Sequence, residues 1–399
     1  MKARKLRFFL AVVALVAISL LAVGCGSKGA TTSGSSKSTT LTIGVGAPLT
    51  QGSVAIGEGI VRGVKLAVSK MNASADAKSL DITFKAAEGD DQGDPKTGVT
   101  AANTFASDRS IIGVVGHYNS GVTIPSSKVY NDNRIVMVSP GATSPTVTAQ
   151  GYDVVFRTCA TDALQGPAGA DRLYALGKRK VVVVDDSTTY GEGLSAAFAA
   201  EWKKIGGTIL LTAKTQDKDT DFNALVTKAK ALNPDLVYYA GLYNAGALLT
   251  KQMKDAGLNV PVLGGDGLYD PEYINLGGKG TEGDYTTCVG LPAAMLPSAD
   301  VFKKDYIAMF PGQTIGAFDA YAYDAATAIM TAAINVAKTD GASTITTPAG
   351  REKLIKGVAA VQFEGVTGPI AFDAKGDTKN KVVTLYKVVG GKWAPQEKK

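Results

Sequence analysis

VVVVDDSTTYGEGLSAAFAAEWKKIGGTILLTAKT, residues 181–215, decides how this chain is built. Four valines and two aspartates in a row read as a strand buried on both faces, because a half-exposed strand would alternate. GEGLSAAFAAEWKKIG reads as a helix and TILLTAKT as the next strand. Strand, helix, strand is the unit of a parallel sheet, since parallel neighbours need a long crossover. What makes the stretch decisive is that the same alternation has already run once upstream. The pattern restarts here, so the chain carries two α/β units rather than one long sheet.

Upstream, LTIGVGA (41–47), LDITFKAAEGD (80–90), IIGVVG (111–116) and IVMVSP (135–140) read as strands. Ile60, Val64, Ala67, Val68 and Met71 recur at helical spacing between the first two. Asp94-Pro95 opens another helix to about Ala106, with Asp as N-cap and Pro at the first position. Downstream, DFNALVTKAKAL and AGALLTKQMKDAG predict helices, and LVYYAG and PVLGGDG predict strands. The last third differs. It predicts helices over 299–310, 315–337 and 347–361, then strand-like runs GPIAFD (368–373) and VVTLYKVV (382–389) with a turn at Lys375-Gly376-Asp377. These pieces must return to the two lobes, and the crossovers make a cleft with a hinge. The length of 399 residues and 45% hydrophobic content suit about two to three domains.

The N-terminus has the order of a secretory signal: basic MKARKLR, apolar FFLAVVALVAISLLAV, then Gly24-Cys25-Gly26-Ser27. Its end is similar to a bacterial lipobox, although Ala22 stands where Leu is usual, and Cys25 is the expected lipidation site. A plain transmembrane anchor is the alternative. GSKGATTSGSSKSTT (26–40) is a flexible linker by composition. The expected organisation is a signal peptide (1–24), lipidated Cys and linker (25–40), lobe I (41–161 plus 290–366) and lobe II (162–289 plus 367–399). Removing Lys2, Arg4, Lys5 and Arg7 with the leader lowers the formal charge from +6 to +2. No dense basic cluster remains, which excludes nucleic acid as a partner. Cys159 and Cys288 are too few for a disulfide scaffold and fit no zinc spacing. They either pair or stay buried thiols, the second reading being favoured.

Open α/β sheets place ligands at the carboxyl ends of their strands. Those ends carry His117-Tyr118-Asn119-Ser120, Ser139-Pro140-Gly141-Ala142-Thr143, Ser187-Thr188-Thr189-Tyr190, Leu242-Tyr243-Asn244 and Asp266-Gly267. They are rich in hydroxyls and poor in catalytic parts. The only histidine, His117, sits three residues from Ser120, but there is no G-x-S-x-G elbow, and His117 reads as a structural polar residue. Gly57-Glu58-Gly59 begins like a dinucleotide fingerprint, but its third glycine, Gly63, comes one residue late. Asp90, Asp91 and Asp94 begin like a calcium loop that Pro95 and Lys96 then break. No catalytic residue, metal site or cofactor is expected. What these ends can do is hold a zwitterion, with Ser120 and Thr143 on a carboxylate and Asp266 on an ammonium.

In the order LTIGVGAPLTQGSVAIGEGIVRGVKLAV, EGDDQGDPKTGV, VVGHYNSG, VMVSPGATSPTVTAQGYDVVFRT, LQGP, DDSTTYGEGL, DFNALVTKAK, LVYYAGLY, GGDG and GPIAFDAKGD, the chain resembles the leucine/isoleucine/valine-binding proteins, extracytoplasmic receptors of ABC importers. The resemblance implies two Rossmann-like lobes joined by a three-crossover hinge, closing on a small ligand. It places Ser120 and Thr143 on the α-carboxylate, with backbone around Tyr118, Gly141 and Ala142, and Asp266 on the α-ammonium. Tyr190 would close from the second lobe, and Asn119 and Leu242 would line the cleft. Three positions depart from the family: Leu242 and Ile56 replace aromatics, and Gly93 and Asn119 stand where some members have a disulfide. The implied protein is a monomeric, membrane-tethered lipoprotein. It would deliver an aliphatic α-amino acid to ABC permease subunits. A sensor presenting an amino acid or amide to a chemoreceptor or kinase is the alternative.

Overall fold

The computed structural model describes residues 38–290 and 299–396. The leader, Cys25 and nearly all of the linker lie outside the described residues. Among those described, no helix is long and apolar enough to cross a membrane.

Five strands form the first sheet: β1 (Thr39–Ala47), β2 (Ile82–Asp90), β3 (Ile111–Gly116), β4 (Val136–Ser139) and β5 (Val155–Arg157). They lie in the order β2-β1-β3-β4-β5, all parallel. The second sheet starts where the valine run predicts, with β6 (Lys180–Asp185), β7 (Thr208–Lys214), β8 (Leu236–Ala240), β9 (Val262–Gly264) and β10 (Tyr285–Val289). After a separate hairpin of β11 (Phe363–Gly365) and β12 (Gly368–Ile370), the chain adds β13 (Val383–Val389) and β14 (Lys392–Pro395). The order is β14-β13-β10-β9-β8-β6-β7, parallel except for the last two additions.

Physical reasons for these elements are local. Val181 to Val184 are at most 1% exposed, and each buried valine contributes about 1.5–3 kcal/mol. The helix Thr189–Lys204 covers this sheet. Its Phe198 stacks on Tyr238 of β8 with centroids 3.7 Å apart, and Trp202 stacks on Phe198 at 5.4 Å. β7 is only half-buried, as befits an edge. Thr188 caps the helix by accepting from Gly191 N at 3.0 Å, which starts it two residues before GEGL. The helix Pro95–Ser107 begins as expected, with Asp94 accepting from Lys96 and Thr97 N.

The helices Asp319–Asp340 and Pro348–Ala360 pack on β3 and β4, so the last third returns to the first sheet before β13 joins the second. The chain therefore passes between the sheets three times. Gly57, Gly59 and Gly63 have packing roles. They lie on the helix Val54–Ala73, and a Cβ at Gly63 would overlap the Asp319 carbonyl. The small size of Gly59 and Gly63 lets two helices touch, and that of Gly57 leaves room for the Pro48 carbonyl.

Several elements escape the periodicity reading, among them the helices Ser120–Asp132 and Pro271–Gly277 and the strands β5 and β10. The helix Asp162–Ala175 carries Gly166, Pro167 and Gly169 inside it, which blurs its period. β14 is short and partly exposed. The expected lobe boundary at 366/367 falls inside the β11–β12 hairpin. There Asp324 accepts from Val366 N at 2.9 Å and Thr367 N at 2.7 Å. Cys159 and Cys288 are buried free thiols, and burial raises both above the usual thiol range.

Candidate functional site

The carboxyl ends of both parallel sheets face one cavity of about 380 Å³. From the first sheet, Tyr118, Asn119, Ser120 and Gly141 line it. From the second, Tyr190, Leu242 and Asp266 line it. Seven of the nine residues expected to bind a ligand are thus brought together. Ala142 and Thr143 are not on the wall. Both are fully buried just behind it, where Ala142 O accepts from Arg157 at 2.8 Å and Thr143 O accepts from Asp162 N at 3.0 Å. Thr143 Oγ1 has no hydrogen-bond partner among the described residues.

Three helices begin at the cavity, Pro95–Ser107, Ser120–Asp132 and Thr189–Lys204. Their N-terminal dipoles favour an anionic group there. At Ser120–Asp132 the cap residue Asn119 makes no side-chain capping bond, so the first turn's N–H groups lack that internal acceptor. Ser120 Oγ accepts from Ser144 N at 3.2 Å, which leaves its hydroxyl proton free to donate.

The opposite wall is acidic. Asp266 opens the short turn Asp266–Leu268 and is 1% exposed. Its Oδ1 accepts from the Tyr190 hydroxyl at 3.1 Å, and that hydroxyl accepts from Gly267 N at 3.1 Å. The Tyr190 hydroxyl is therefore engaged with its own lobe, and its ring is what it offers the cavity. Gly265 keeps this corner close-packed, because a Cβ would stand 2.4 Å from Leu194 Cδ2, 2.6 Å from the Tyr190 hydroxyl and 2.8 Å from Gln165 Oε1, and these side chains would have to shift. Burial raises the Asp266 carboxyl to about 6, while hydrogen bonds from Gln165 and Tyr190 hold it down. It is charged at neutral pH, yet no lysine or arginine pairs with it among the described residues.

The apolar wall is Tyr118, packed edge-on against Phe318 at 5.1 Å, with Leu242 facing from the other lobe. Ile56 is buried, 2% exposed. Gly93 and Asn119 are neighbours, since a Cβ on Gly93 would lie 3.6 Å from Asn119 Oδ1. At the mouth, Asp94 and Lys218 approach from opposite sides, and the lysine charge helps lower the Asp94 carboxyl.

His117 and Ser120 do not form a catalytic pair. His117 Nδ1 bonds Asp91 Oδ2 at 2.7 Å and Nε2 bonds the Tyr130 hydroxyl at 2.9 Å, all three fully buried. The aspartates of the broken calcium loop are likewise engaged. Asp90 accepts from Leu49 N and Gln92 N, Asp91 accepts from Gly93 N, and Asp94 caps its helix. No group of three or more metal-ligating side chains occurs among the described residues. We expect His117→Ala to cost about 1–3 kcal/mol of stability by stranding buried partners, while ligand affinity at the cavity stays within a few-fold. Denaturant unfolding and calorimetry would check the two halves.

The family described as Periplasmic binding protein matches residues 40–392. The chain is 36% identical over 338 residues to Leu/Ile/Val-binding protein homolog 2 of Brucella abortus, covering 84% of this chain and 86% of that one. It superposes with a TM-score of 0.79 and 25% identity on the branched-chain amino-acid transporter substrate-binding protein of Streptococcus pneumoniae, solved with isoleucine, covering 90% and 99% of the two chains. It also superposes, at a TM-score of 0.79 and 21% identity, on an ABC-transporter solute-binding protein of R. palustris solved with benzoate, covering 89% and 95%. That last likeness is one of fold.

Proposed function

Because this chain belongs to the periplasmic binding protein family and, within it, to the Leu/Ile/Val-binding proteins, we propose that it captures an aliphatic α-amino acid between its two sheets and delivers it to the membrane subunits of an ABC importer. It performs no chemistry on its cargo. The two sheets act as lobes, and the ligand shifts the population toward the closed form by binding it better. Ser120 and the helix N-termini hold the carboxylate, with Thr143 close behind. Tyr118 and Leu242 hold the side chain.

One observation supports this above all: Asp266 is a buried carboxylate at the cavity with no cationic partner among the described residues. An isolated buried charge is costly, and an incoming ammonium answers it with a charge-assisted bond of about 1.5–3 kcal/mol. Benzoate offers a carboxylate to the helix ends but nothing to Asp266. The amino-acid reading is therefore preferred over an aromatic acid.

Thermal-shift titration of residues 26–399 against the common amino acids and benzoate tests this. Stabilisation by leucine, isoleucine or valine with none by benzoate is expected. Stabilisation by benzoate alone would overturn it. We further propose that Cys25 carries a lipid that tethers the body through the 26–40 linker, so Cys25→Ala should move the protein out of the membrane fraction.

A further inference from the structure

The cavity is longer than a leucine. In the second sheet the strands β9, β8, β6 and β7 stand side by side in that order. Their ends contribute Asp266, Leu242, Asp186 to Tyr190, and Gln216 to Lys218 to the wall. In the first sheet the order is β4, β3, β1, β2, and the ends of β4, β3 and β2 contribute Gly141, Tyr118 to Val122, and Gly93 to Pro95. Neighbouring strands lie about 4.8 Å apart, so three spacings separate the ends of β9 and β7 by about 14 Å. Four bonds of about 1.5 Å carry leucine from its nitrogen to its last carbon, which is less than about 6 Å. A leucine held at Asp266 does not reach the ends of β7 and β2.

That distal part is acidic. Among the described residues, Asp94, Asp186 and Asp217 line it against one ammonium, Lys218. Asp186 follows β6 and is 1% exposed. Its Oδ1 accepts from Thr188 N at 3.0 Å and from the Thr188 hydroxyl at 2.6 Å, while its Oδ2 has no hydrogen-bond partner among the described residues. Asn119 Oδ1, from the other sheet's side of the cavity, also has none. Burial raises the Asp186 carboxyl to about 6 against the hydrogen bonds from Thr188, and the charges of Asp217 and Asp185 add to the rise. It is still charged at neutral pH, and a buried charge with an unanswered oxygen is costly. Two of the helix N-termini at the cavity are already capped from within, Pro95–Ser107 by Asp94 and Thr189–Lys204 by Thr188. A ligand carboxylate is thus left to the Ser120–Asp132 end, and the distal part suits a group that brings N–H donors.

We propose that this distal part is a second subsite, which holds the cationic end of an α-amino acid with a basic side chain. The proposal rests on the amino-acid reading and narrows its cargo. Asp186 stands two strand spacings from Asp266, about 10 Å. With a hydrogen bond of about 3 Å at each end, the six bonds between the two nitrogens of lysine, or the seven of arginine, close that gap. The methylenes lie along Tyr118 and Leu242 as an aliphatic side chain does, so leucine still binds, but without the distal contact. A guanidinium has five donors and an ammonium three, enough for Asp186 Oδ2, Asp217 and Asn119 Oδ1. A ligand with a distal carboxylate gains Lys218 and meets three like charges.

Isothermal calorimetry at pH 7.5 compares L-lysine and L-arginine with L-norleucine, which is lysine without its terminal amine, and with L-glutamate. Lysine or arginine is expected to bind at least tenfold more tightly than norleucine, with glutamate the weakest. Asp186→Asn keeps an oxygen for Thr188 and should lower lysine affinity at least tenfold, removing its advantage over norleucine. Asp217→Asn, at a half-buried position, should narrow that advantage about threefold, and it carries the test if the first variant does not fold. Lysine and arginine no tighter than norleucine overturn the proposal, as does glutamate binding most tightly or an unchanged preference for lysine in Asp186→Asn. If neither norleucine, leucine nor any other amino acid gives a binding heat or moves the melting temperature, the amino-acid reading itself fails and this inference falls with it.

Discussion

Asp266→Ala is expected to reduce amino-acid affinity by about 100-fold to more than 1,000-fold. Removing one partner of a buried charge pair costs about 3–5 kcal/mol, and each 1.4 kcal/mol is a factor of ten. The loss should be specific to binding, because Asp266 contributes nothing favourable to the empty fold as a charge. Its folded-state carboxyl lies at about 6, above the ordinary aspartate value near 3.9. Between those values the unfolded chain has released a proton that the folded chain still holds, so stability falls as pH rises through that window and stays lower above it. Asp266→Asn removes this cost. The ligand-free variant should therefore be more stable than wild type at pH 7.5, by about 2–3 kcal/mol, and no more stable at pH 4. Losing the ligand while gaining stability is the signature of a group kept for function. Denaturant titrations at the two pH values, paired with calorimetry on leucine, read both effects. Near-normal leucine affinity in the alanine variant removes Asp266 from the site.

Much of this architecture is legible in the sequence because parallel strands buried on both faces are continuous apolar runs. The valines of β6 and the IIGVVG of β3 leave little room for another reading. Site residues at strand ends are legible for the same reason, since a strand's end is where its run stops. What stays hidden has a local mimic. Asp162 occupies the first position of a helix, where an acidic residue is ordinarily explained by the helix dipole. Only the fold shows that it is buried near Asp266. Gln165 is hidden in a helix that Gly166 and Pro167 disguise. β14 carried a signal that was available: Gly390 and Gly391, both at positive φ, join it to β13, and Gly-Gly between strands is a hairpin turn. Thr143 shows the other limit. A hydroxyl at a strand end can face the cavity or sit just behind it, and sequence does not distinguish the two.

The second large effect should come from a residue that never touches the cavity. Arg157 is fully buried at the end of β5. Its Nε donates to Asp377 Oδ1 at 2.6 Å, one terminal nitrogen donates to Ala142 O and Ser144 O at 2.8 Å each, and the other donates to Thr148 Oγ1 at 2.8 Å. Its backbone N donates to Gly376 O at 3.0 Å. One guanidinium thus fastens the loop that carries Gly141 to Thr143 and the turn through which the chain makes its last passage between sheets. Arg157→Ala leaves two buried carbonyls without their donor and Asp377 with only the Thr148 hydroxyl, and opens a hole among the largest buried side chains. We expect a loss of about 3–5 kcal/mol in stability. Leucine affinity should fall as well, because the loop behind the proposed carboxylate site loses what positions it. Arg157→Lys separates charge from shape. An ammonium can keep the ion pair with Asp377, but it lacks the planar fork that reaches both carbonyls. The lysine variant should regain part of the stability and little of the affinity. Full recovery of both by lysine would mean that the charge alone matters and that the carbonyl contacts do not set the loop.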